Sequence, residues 1–127
     1  MSENQNQWYF LRDVASLIGY AANFRGVMLT GGDLYQDNSW HKRYSEHTLE
    51  RVTGLVTYKT PHLKSGQHPR RKAIDLNLFV DGHYVTHDHE VWYELGDHWK
   101  RLDRPNRWGG DFTNRDYNHF ERYDEGI

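Results

Sequence analysis

HPRRKAIDLNLFVDGHYVT, residues 68–86, holds the pattern from which the rest of the chain can be placed. Ile74, Leu76, Leu78 and Val80 alternate with Asp75, Asn77 and Phe79, the period-two signature of a strand with two different faces. Asp75 then lies on the face opposite the aliphatic side. Asp81–Gly82 is a tight-turn signal, so Tyr84–Thr86 returns as the partner strand of a hairpin. On the N-terminal side, Pro61, Gly66 and Pro69 place His68 in a loop.

Working outward, Val91, Trp92, Leu95, Trp99 and Leu102 form one apolar helical face, with Asp88 as its expected cap and Gly96 as a modest interruption. His87 and His89 are read as exposed. Pro105 and Gly109–Gly110 give a turn-rich connection, after which residues 119–123 alternate as a last strand. There His119 and Glu121 share a face and Phe120 points into the core. Trp108 is expected beneath the site, and Asp111 is read as structural. Toward the N-terminus, Phe10, Leu11, Val14, Leu17 and Ile18 predict a helix from Trp8 to Ala22. A short strand follows at Val27–Thr30. Residues 45–52 allow a short helix, residues 55–60 a strand, and His41 and His47 read as surface residues. The expected fold is α+β, a small antiparallel sheet with flanking helices in one domain over residues 1–127, with 1–7 and 124–127 loose.

With 127 residues there is room for one real core but not for a catalytic domain plus a separate binding module. A mean hydropathy of −1.00 combined with 15% aromatic residues means that the core is built on Trp, Tyr and Phe. The net charge of −2 gives no global drive toward nucleic acid or an anionic membrane. HLKSGQHPRRK (62–72) is locally basic, however, and Arg71 within it is a candidate for steering an anionic substrate. The absence of cysteine excludes disulfides, thiolate metal sites and a thiol nucleophile. No apolar stretch is long enough to span a bilayer, and the start MSENQNQ lacks a secretory pattern. The expectation is cytoplasmic synthesis of a monomer with no membrane insertion.

The chemistry-bearing residues are His68, Asp75 and the pair in DYNH (116–119). A hydrolytic zinc site needs three ligands from His, Asp or Glu and a fourth position open to water. His68, Asp75 and His119 supply three such groups, and Asp116 is the candidate acid/base beside them. Taken alone, Asp75 reads as a solvated edge residue, and only the company of His68 and DYNH reverses that reading.

These same segments, HPRRKAIDLNLF (68–79), RWGGDF (107–112) and DYNHFE (116–121), together with GVMLTGGDLY (26–35), resemble the zinc D-Ala-D-Ala carboxypeptidase and L-Ala-D-Glu endopeptidase family, particularly its phage endolysin branch. The resemblance implies the hedgehog/DD-peptidase fold, Zn2+ on His68, Asp75 and His119, Asp116 as catalytic acid/base, and a peptidoglycan stem peptide as substrate. The family commonly has Ser or Thr two residues before the first histidine, where this chain has Gly66. It also has a substrate-contacting Tyr-Arg pair where this chain has Tyr35–Gln36, so Gln36 is the candidate substrate contact. Neither departure touches the metal ligands, but both bear on substrate choice, because a neutral amide cannot replace the two-bond grip of arginine on a carboxylate.

The resemblance favours L-Ala-D-Glu endopeptidase activity over D-Ala-D-Ala carboxypeptidase activity. It implies action in the periplasm after membrane permeabilisation, or from a virion. Two other classes compete: a zinc-containing wall-binding virion module without hydrolysis, and a metal-dependent nuclease. A spare Asp116 argues against the first, and the acidic charge balance argues against the second.

Overall fold

The computed structural model describes residues 2–32 and 72–124. His68, Gln36, Arg71 and the elements expected over 45–60 lie outside the described residues. The order of elements is helix α1 (Glu3–Ala21), strand β1 (Val27–Gly31), β2 (Ala73–Val80), β3 (His83–Val85), helix α2 (Glu90–Leu102), β4 (Asn106–Trp108), a single 3-10 turn (Gly109–Asp111) and β5 (His119–Arg122).

Strand β2 organises the sheet. Its whole length after Ile74 lies beside β1, from Leu76↔Gly31 to Val80↔Val27, and the ladder is extended by a bond from the Gly32 N–H to the Asp75 carbonyl at 2.7 Å. The other edge of β2 is shared by two strands in tandem. β5 pairs with Ala73–Asp75, and β3 pairs with Leu78–Val80. β4 completes the sheet against β5, and every pairing is antiparallel. Asp81 and Gly82 both take positive φ, which matches the right-handed twist of the two strands they join. This is the antiparallel sheet with flanking helices expected from the sequence. No helix among the described residues is long and apolar enough to cross a membrane.

The core is aromatic, as composition required. Trp99 of α2 meets Phe10 of α1 edge-on at 5.7 Å and Phe120 of β5 at 5.9 Å, so one indole joins both helices to the sheet. Its Nε1–H donates to the carbonyls of Arg107 and Glu121, each at 3.0 Å, which meets the need of a buried indole for an acceptor.

Several expectations are corrected. Residues 3–7 are not a loose terminus: α1 begins at Glu3, because Ser2 and Gln5 form a reciprocal capping box that satisfies the first free N–H groups. Its buried face is Phe10, Val14, Leu17 and Ala21, whereas Leu11 and Ile18 face outward. The cap of α2 is His89, whose ring Nδ1 accepts from the Val91 N–H at 3.1 Å, so His89 is a half-buried capping residue rather than an exposed one. Asp124 is also not loose. Its carboxylate holds the fully buried Lys72 ammonium at 2.6 Å.

Candidate active site

The register of β2 against β5 sets Asp75 directly opposite His119. Cross-strand partners share a face, and because Phe120 points into the core, His119 and Glu121 project together on the other side. The first half of β2 is nevertheless buried on both faces. Asp75 is only 2% exposed, so the solvated-edge reading fails.

Asp75 Oδ1 lies 3.0 Å from His119 Nδ1, and His119 Nε2 lies 2.6 Å from Glu121 Oε1. The other Glu121 oxygen accepts from Arg107 Nη2 at 2.6 Å and Nε at 3.0 Å. Arg107 reaches it because Arg107 and Glu121 are partners across β4 and β5, and its guanidinium stacks on Tyr123 at 4.0 Å. A row therefore runs Arg107, Glu121, His119, Asp75. An ionised carboxylate can only accept, so in the metal-free state both ring nitrogens carry hydrogen. Burial pushes the imidazole pKa down, but the bonds to Asp75 and Glu121 outweigh it and hold the group up at about 9. Burial likewise opposes ionisation of Glu121, and His119 followed by Arg107 more than compensates, leaving that carboxyl below its ordinary range.

Asp116 reaches the same place from the loop before β5. Its N–H donates to the Gly109 carbonyl at 2.9 Å, and its own carbonyl accepts from the His119 N–H at 3.1 Å. These two bonds fold residues 116–119 into a turn that brings Asp116 back over His119. A Cβ at position 109 would collide with the Asp116 carbonyl and sit 2.9 Å from His119 Cβ, so the turn needs glycine there. Asp75, Asp116 and His119 each offer a ligand-type atom, all within 4.8 Å of one another. The sequence thus marked three groups that the fold gathers, while its fourth, His68, lies outside the described residues. Phe112 walls the cluster at 5.7 Å from the His119 ring. Trp108 lies beneath as expected, its Nε1–H donating to the Tyr117 carbonyl at 2.7 Å. Asp111 pairs with Lys100 at 2.8 Å and takes no part.

Residues 60–122 match a family model described as D-alanyl-D-alanine carboxypeptidase. Over that stretch the chain matches the M15 peptidase family. Its fold is similar to that of the Serratia marcescens L-Ala D-Glu endopeptidase ChiX, with a TM-score of 0.60 and 16% sequence identity over 94% of this chain and 85% of that one. No curated protein sequence matches significantly.

The cluster suits the divalent metal that the family implies. Two carboxylates and an imidazole are hard-to-borderline donors appropriate to zinc. A carboxylate on the far nitrogen of a ligating histidine is the usual outer partner that fixes ring orientation and tautomer. With a metal on Nδ1, Glu121 would occupy that position. Strand alternation alone places Glu121 on the right face without implying this task, for which the His-x-Glu spacing on a strand is the sequence signal. Arg107 carries no local signal, since its pairing depends on β4, a three-residue strand defined by its partners in β5.

Proposed function

We propose that this chain is a zinc-dependent peptidoglycan hydrolase acting on stem peptides, with L-Ala-D-Glu endopeptidase activity as the preferred cleavage. The observation that carries the reading is the convergence of Asp75, His119 and Asp116 within 4.8 Å beside an imidazole clamped by Glu121. His68, Asp75 and His119 would hold the zinc, which would supply Lewis acidity toward the scissile carbonyl.

The chain's own groups perform the rest. Glu121, fixed by Arg107, keeps the His119 ring in one orientation, with Nδ1 turned toward Asp75. Asp116 is half-buried at the edge of the cluster, where a carboxylate can take the proton of the attacking water on one oxygen. It then returns that proton to the leaving amine, so one residue serves as base and acid in turn. Burial of Asp75 and His119 keeps competing water from loosening these contacts.

Asp116→Ala is expected to keep stoichiometric zinc and lose hydrolysis of purified sacculi by about 100-fold or more, whereas His119→Ala loses both metal and activity. Metal analysis and a chelator-sensitive wall-digestion assay read the two outcomes, and retention of metal and hydrolysis by both variants would refute these roles. Mass spectrometry of the released peptides decides the bond: new L-Ala C-termini support the endopeptidase, and free D-Ala supports the carboxypeptidase.

A further inference from the structure

A cleft of about 250 Å³ opens beside Asp116, between β2, the end of β3, the first turn of α2 and residues 115–118. It is smaller than the roughly 300–1,000 Å³ of sites that enclose a whole drug-sized ligand, so it fits part of a longer substrate. Two features give it a chemical preference. Arg115 lines it with an exposed guanidinium that, among the described residues, has no carboxylate within ion-pair distance and is steadied by the Tyr93 hydroxyl at 3.0 Å. Trp92 also lines it, is 1% exposed, and has an Nε1–H with no hydrogen-bond partner among the described residues. A buried N–H left unpaired costs about 1–3 kcal/mol, which an incoming acceptor would recover. Of the rest of the polar lining, Asp116 is the one carboxylate and the other groups are neutral, Asn77 and Tyr84 among them bonding each other at 3.4 Å.

We propose that this cleft receives the carboxylate carried on the carbon next to the leaving nitrogen of the substrate, with Arg115 as the charged clamp and the Trp92 N–H as a second donor. The inference rests on the stem-peptide reading above and deepens it. Both candidate cleavages place such a group there. A γ-linked D-Glu keeps its α-carboxylate free beside the nitrogen released from L-Ala, and a terminal D-Ala has its own carboxylate in the corresponding place. Asp116, which lines the same cleft, is then next to the amine it protonates. Arginine suits the task because its planar fork meets both carboxylate oxygens.

Four chains test it: wild type, Arg115→Ala, Arg115→Lys and Trp92→Phe, each loaded with zinc. Hydrolysis is compared on a stem peptide with a free D-Glu α-carboxylate, its α-amide, and a pentapeptide ending in D-Ala-D-Ala or in its C-terminal amide. Binding of the uncleavable dipeptide γ-D-Glu-L-Lys is measured calorimetrically. Arg115→Ala is expected to lower kcat/KM on the preferred carboxylate substrate about 10- to 100-fold, mainly through KM, with little change on the amide. Lysine should restore part of the loss, and Trp92→Phe should show a smaller loss of the same selectivity. The pair of substrates on which the selectivity appears identifies the source of the carboxylate. Equal losses on acid and amide, or no loss in a wild type that hydrolyses the peptides, overturn the clamp. A wild type that hydrolyses none of them but binds the dipeptide through Arg115 overturns the peptidase reading and leaves the clamp standing. Absence of Arg115-dependent binding in such a protein overturns both.

Discussion

His119 is the residue on which folding and chemistry make opposite demands. In the metal-free protein its pKa of about 9 exceeds the ordinary value of 6.5. A group raised on folding contributes stability that is complete below the unfolded pKa and is lost as pH rises through the folded one. The metal-free chain should therefore lose stability between pH 6.5 and 9, by at most about 3 kcal/mol. On the proposed zinc reading the metal would compete for the nitrogen that carries the Nδ1 proton, so zinc affinity should rise over the same window as that proton becomes easier to remove. Urea unfolding with and without zinc, across that window, should give slopes of opposite sign. Glu121→Gln should flatten the metal-free slope and weaken zinc about 10- to 100-fold by loosening the ring. If Glu121→Gln leaves both unchanged, the row from Arg107 to Asp75 does not act as a unit.

At the scale of elements, α2 shows why local propensity and packing must be separated. Gly96 lies in the helix interior, where alanine is ordinarily favoured by about 1 kcal/mol. Here the ring of Trp108 covers the glycine so closely that a Cβ would overlap it. Gly96→Ala should therefore destabilise by about 1–3 kcal/mol as the indole is displaced. Gly19 in α1 is exposed with nothing within 4 Å of an added Cβ, so Gly19→Ala should stabilise by about 0.5–1 kcal/mol. Chemical denaturation of the two variants measures the contrast, and equal signs would show that Trp108 does not set the value at position 96. The contrast also shows what was legible. The β2–β3 hairpin and α2 follow from residue periodicity and from Asp81–Gly82, because those signals are local. β4 is three residues long and is defined only by its partners in β5, so nothing local announces it. The burial of Asp75 was hidden for the same reason: its cover comes from Gly32 and His119, which are distant in sequence. Of the candidate site, residue type and spacing single out Asp75, Asp116 and His119, which the fold brings within 4.8 Å of one another. The clamp behind His119 needed the strand register.

Across the whole molecule, buried charges tie distant parts of the chain together. Lys72 enters β2 with its side chain fully buried, holding Asp124 at 2.6 Å and Glu3 at 3.1 Å, so the start of α1 and the chain after β5 meet at one ammonium. Arg122 does the same nearby, donating to Asn6 at 3.0 Å and to Asp103 at 2.6 Å. Such pairs add little net stability over apolar packing, but breaking one strands a charge away from water. Lys72→Met should therefore cost about 3–5 kcal/mol, because the Asp124 side chain is only 7% exposed. The double variant Lys72→Met/Asp124→Leu should recover most of that loss, since neither charge is then left alone. Both can be read from urea unfolding followed by tryptophan fluorescence, given the three buried indoles among the described residues. If the double variant is no more stable than Lys72→Met, the loss comes from packing at the entry to β2 rather than from an uncompensated carboxylate. Because β2 carries Asp75 three residues further on, that outcome should also appear as weakened zinc binding.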